Sequence, residues 1–152
     1  MKPELKYQIL TGYFGKLPPY PDFIKFNAGG AEIRELDLWL QEGLLKAKDV
    51  LKDGWKTAYR NSPRYNFLYS SPETQNIVLG LMLPGNDKSD REFPFLVFLL
   101  IERKILKHTH FYLVPPGFSK SFDFINPEFK HSPGGENLIP LKEEFLNALM
   151  KK

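Results

Sequence analysis

There is no cysteine anywhere in the 152 residues of this chain. That excludes a disulfide framework, a thiolate zinc site and a cysteine nucleophile, and it suits a reducing compartment. Net charge is scarce too. Against 21 Lys and Arg stand 18 Asp and Glu, leaving +3, far short of the basic stripe with which nucleic-acid binders meet phosphates. No apolar run approaches the roughly 18 uninterrupted residues that suggest a spanning helix. The opening MKPELKYQIL has neither the apolar segment nor the small-residue cleavage pattern of a secretion signal. Repeats and linkers are also missing. The expectation is one domain over residues 1–152, cytoplasmic, with no nucleic-acid partner and no membrane insertion.

Aromatic residues and prolines are plentiful: 14% aromatic, with 13 Phe, 7 Tyr and 13 Pro. A disordered chain would be poor in aromatics, so this composition points to a compact α/β or α+β domain with structured loops.

The pattern is organised around Ile77 to Ile101, where IVLGLML and FPFLVFLLI flank the polar PGNDKSDRE. Both apolar runs are hydrophobic at nearly every position, which predicts inner strands of a sheet covered by helices. The polar bend between them, Pro84 to Glu92, is rich in turn formers and predicts a loop at one wall of any site. Upstream, KYQIL at Lys6 to Leu10 reads as a first strand. TGYFGKLPPYPDF then reads as a stiff loop pinned by Tyr13, Phe14, Tyr20 and Phe23.

Ile33, Leu36, Leu40, Leu44, Ala47 and Leu51 recur at three- and four-residue spacing, the stripe of an amphipathic helix over Glu32–Leu51. Trp39 should widen that stripe, and Gly43, inside the helix, suggests a close packing neighbour. Asp53 predicts the cap of a shorter helix through Trp55 and Tyr59, stopped at Asn61-Ser62-Pro63. Tyr65–Tyr69 reads as a strand. Beyond Ile101 a basic link leads to a strand at HFYLV, an aromatic excursion from Phe118 to Leu138, and a last helix from Pro140 carrying Leu141, Phe145 and Leu149 on one face.

Few residues carry a chemical signature. TGYFGKL lacks the glycine spacing and the hydroxyl of a phosphate-binding loop, since its glycines are three apart and Leu17 follows the lysine. His108 and His110 could share one strand face, but no third metal ligand accompanies them and Lys104 and Lys107 would repel a cation; His131 stands alone. No nucleophile elbow exists. Asp22, Asp87, Asp90 and Glu92 could serve acid–base chemistry, but Arg91 beside them makes an ion pair the default. No metal site and no cofactor is expected. The basic residues Arg103, Lys104, Lys107 and His108 read equally as an acidic partner's target or as a solvated edge.

Taken in order, FGKLP at Phe14–Pro18, Asp22-Phe23, WLQEGL at Trp39–Leu44, Trp55 with Tyr59, Ser62-Pro63 before Phe67, GLMLP at Gly80–Pro84, then Asp87, Arg91 and Phe93-Pro94 resemble the TagF/ImpM family associated with bacterial type VI secretion. The likeness covers residues 14 to 94. It departs at Pro21, where the family has glycine, at Tyr65, where tryptophan is common, and at Gly85 and Asp90, which occupy a serine and a glycine position. The resemblance implies a three-layer α/β/α sandwich with a central mixed sheet. It also implies a non-enzymatic accessory role, usually post-translational repression of assembly, exerted by binding a forkhead-associated-domain scaffold protein. By position, the partner-binding residues it nominates are Gly15, Lys16, Pro18, Asp22, Asp87 and Arg91, set on two loops that converge at one sheet end. Two other readings stay open: an enzyme or small-anion binder using the Asp87–Arg91 loop, and a structural subunit docking through Phe118–Phe129.

Overall fold

The computed structural model describes residues 9–105. Its sheet contains β1 (Ile9–Gly15), β2 (Ile24–Phe26), β3 (Tyr65–Ser70), β4 (Asn76–Leu83) and β5 (Phe95–Glu102). They lie in the order β2-β1-β5-β4-β3. The two apolar runs are neighbours, and β5 is the central strand. All four adjacent pairs are antiparallel, where the resemblance implied a mixed sheet. Within the described residues, the connections between the adjacent pairs β1–β2, β3–β4 and β4–β5 are short enough to reverse the chain directly, so antiparallel pairing follows.

One long helix, α1 (Ala31–Leu51), and one short one, α2 (Trp55–Arg60), stand beside the sheet. The predicted stripe packs as expected over its N-terminal half: Ile33, Leu36 and Leu40 form a core with Val78, Phe93, Leu96 and Phe98. Trp39 does not join it and is 64% exposed, because its position points about one residue step away from the stripe's centre. Gly43 also departs from expectation, since a side chain there would meet nothing within 4 Å. Asp53 caps nothing; it lies in a 3-10 turn, Lys52–Gly54, leading into α2.

The first strand runs further than predicted, through Thr11–Gly15, because its glycines serve the sheet. A Cβ on Gly12 would lie 2.5 Å from the Phe98 ring, so the residue's bareness is what lets the central aromatic lie flat across the strand. Phe67 covers Gly80 in the same way. Cross-strand register places Gly12, Phe98, Gly80 and Phe67 on the face of α1. The opposite face is just as dry: Tyr13, Ile77, Leu81, Val97 and Leu99 are fully buried.

The N-terminal turn of α1 is tied to the β3–β4 connection. Asn76 Nδ2 donates to Glu32 Oε1 at 3.0 Å, Tyr69 Oη to Glu35 Oε2 at 2.5 Å and Ser71 Oγ to Glu35 Oε1 at 3.1 Å. Burial opposes ionisation of Glu32, but bonds from Thr74 and Asn76 win and hold its carboxyl below the usual value. The bond to Glu35 pushes the Tyr69 phenol up to about 12. His108, His110, His131, the Phe118–Phe129 segment and the helix expected from Pro140 lie outside the described residues.

Candidate functional site

The β1–β2 loop (16–23) and the β4–β5 loop (84–94) meet at one end of the sheet, because β1 and β5 are hydrogen-bonded neighbours. The backbones touch. Gly15, at φ 137°, lies where a Cβ would overlap the Pro94 carbonyl oxygen, and a Cβ on Gly85 would overlap that of Lys16. Only glycine permits both approaches.

Asp87 is the centre of the junction, 1% exposed. Its Oδ1 accepts the backbone N–H groups of Ser89 and Arg91 at 2.9 and 3.0 Å, folding the loop around the carboxylate. Its Oδ2 stands 2.8 Å from Arg91 Nε and 3.3 Å from Lys16 Nζ. Burial works against the charge. The Arg91 backbone N–H, the Lys16 ammonium and the Arg91 guanidinium outweigh that, and the carboxyl is held below its ordinary value. Lys16 is itself buried, with its ammonium 4.7 Å from the centroid of the Phe23 ring.

Two further bonds close the latch. Arg91 Nη2 donates to the Pro21 carbonyl at 2.9 Å, and the Lys88 backbone N–H donates to the Tyr20 carbonyl at 2.7 Å. From α2, the buried Tyr59 hydroxyl donates to the Gly85 carbonyl at 2.7 Å and accepts its N–H at 2.9 Å. Arg60 pairs with Asp90 at 2.5 Å. Asp90 has φ 66°, the left-handed region that glycine prefers.

The six residues nominated from the sequence come together but divide in two. Gly15, Lys16 and Asp87 are interior parts of the latch. Pro18 and Asp22 are exposed, and Arg91 is shared, its side chain 58% exposed while gripping Asp87. Asp22 does not pair with Arg91; its Oδ1 accepts the N–H of Phe23 at 2.8 Å. Phe23 is the functional candidate that sequence reasoning undervalued. Read as a peg that pins the loop, it does pack on the body, stacked on Phe14 at 5.5 Å and edge-on to Phe93 at 4.9 Å, but it is also 41% exposed. Tyr59 was visible only as part of a motif, and nothing in the sequence announced its bond to Gly85. Among the described residues no group of His, Asp and Glu is arranged to hold a metal, and no helix is long and apolar enough to cross a membrane.

A sequence model of the TagF N-terminal domain, type VI secretion system-associated, matches residues 12–115. The chain belongs to that family. Both loops of the latch fall inside the matched span. No curated protein matches the chain. Among solved structures, PA0076 from Pseudomonas aeruginosa PAO1 is similar, with a TM-score of 0.66 and 25% identity over 73% of this chain. The chain spans 50% of the length of that protein.

Proposed function

We propose that this member of the TagF N-terminal family is a non-enzymatic regulator of type VI secretion that acts in the cytoplasm by binding a protein partner through its latched loop pair. The observation that carries this reading is the Asp87 junction. It stiffens two loops into one surface and leaves Pro18, Asp22, Phe23 and the outer part of Arg91 facing solvent. An aromatic anchor beside a charge on a pre-organised support is the anatomy of a binding hot spot. The partner proposed is a forkhead-associated-domain scaffold of the secretion machine, and the effect is post-translational repression.

Three features of the reading go with it. Residues 1–152 belong to one domain, and a second layer covers the Tyr13–Val97–Leu99 face, completing a three-layer α/β/α sandwich. That face is already buried, and burial on both faces is what a covered sheet needs. No cofactor is required. The alternative, an enzyme or small-anion site on the Asp87–Arg91 loop, draws less support, because the two cations that would receive an anion are already spent on Asp87.

The test is affinity capture of the full chain from cells carrying the secretion genes. The scaffold should be recovered with the wild type and lost with Asp22→Lys, whose melting temperature should be unchanged. Recovery of no secretion component from an intact system would overturn the reading.

A further inference from the structure

Glycine is the poorest helix former after proline, yet Gly43 sits in the middle of α1 with open space where its side chain would be. Nothing inside the described fold uses its bareness. At 100° per residue, Trp39, Gly43, Lys46 and Val50 form a narrow strip beside the buried stripe. Trp39 and Val50 are 64% and 69% exposed. Between this strip and the edge of the sheet runs an apolar hollow of about 220 Å³, with Gly43, Tyr65 and Met82 in its walls, and a second of about 330 Å³ continues past Trp39 towards Phe67.

The charges on α1 are informative. Asp37 binds Gln41, Glu35 binds Tyr69, Asp49 binds Lys52, and Lys48 lies over the Trp55 ring. Glu42 and Lys46, which flank Gly43, are exposed and make no ion pair among the described residues. An antiparallel crossing of two α1 helices near Gly43 would bring Glu42 of each within one turn of Lys46 of the other, twice over by the two-fold symmetry of such a contact. A parallel crossing would set like charges together.

We propose that α1 is a self-association surface: two copies of this chain cross antiparallel at Gly43, each Trp39 ring entering the other's apolar hollow. The missing Cβ permits the close backbone approach. This goes beyond the secretion reading and does not depend on it.

Sedimentation equilibrium of the full chain over the micromolar to millimolar range tests it. A monomer–dimer equilibrium is expected. Gly43→Leu should weaken it about tenfold or more while leaving thermal stability equal or higher, since leucine is the better helix former. Lys46→Glu should weaken it by a similar factor, and adding Glu42→Lys should restore it, because the swapped charges again face each other. A monomer at every concentration, a dimer indifferent to Gly43→Leu, or a double swap as weak as the single one would overturn the proposal. So would capture of a foreign helix on this strip without self-association.

Discussion

The Lys16 ammonium stands 3.3 Å from the buried Asp87 carboxylate, joining a loop at one end of β1 to a loop between β4 and β5. Because Arg91 holds the same carboxylate from within its own loop and also reaches Pro21, neither loop can shift without the other. Asp87→Asn keeps the shape and removes the charge. It should lower the urea midpoint at neutral pH by exposing an uncompensated buried ammonium.

The pH dependence follows from the depressed carboxyl. In the unfolded chain Asp87 has its ordinary value near 3.8, and in the fold a lower one. Its stabilising contribution is therefore complete above the unfolded value and is lost as pH falls through the folded one. Unfolding curves of wild type and Asp87→Asn should differ most at neutral pH, begin to approach each other only below about pH 4, and converge once the pH is below the folded value.

Tyr59→Phe isolates the bond from α2. It leaves the ring and removes the hydroxyl that serves both the N–H and the C=O of Gly85. The Gly85 carbonyl keeps the Phe93 backbone N–H at 3.1 Å, but its own buried N–H is left stranded, so the change should cost about 1–3 kcal/mol in urea unfolding. An unchanged midpoint would mean water replaces the hydroxyl.

Gly12→Ala tests the sheet. Its Cβ would fall 2.5 Å from the Phe98 ring and 2.6 Å from the Phe26 carbonyl oxygen. The expected loss is about 1–3 kcal/mol, and Phe98→Leu in the same chain should recover part of it.

At the other end of the molecule, ultraviolet titration should find Tyr69 ionising near pH 12, with Tyr59, raised by its burial, later still. Glu35→Gln should bring Tyr69 down towards the ordinary phenol value, because the carboxylate that accepts its proton is gone.

What the sequence made legible was what repeats. The continuous apolar runs of β4 and β5 and the Ile33–Leu36–Leu40 stripe each announced themselves by period, and each packs as read. Gly12 and Gly15 misled, because a glycine signals a turn unless a neighbouring segment lies close against it, the Phe98 ring at Gly12 and the Pro94–Phe95 backbone at Gly15, and that neighbour is non-local. Trp39 misled for a related reason: its apolar character places it in a core only if the helix face it occupies meets the sheet. The site was legible as a pairing of two loops. Which of its residues were interior was not, since Lys16 and Arg91 look alike in a polar loop until the position of Asp87 assigns one to the inside and one to the rim.

The most direct measurement of the central claim is amide hydrogen exchange of the full chain with and without the captured scaffold partner. The account predicts added protection in residues 18–23 and 86–91 together, with Asp87→Asn loosening both segments in the free chain. Protection confined to α1, with both loops exchanging as they do in the free protein, would contradict it.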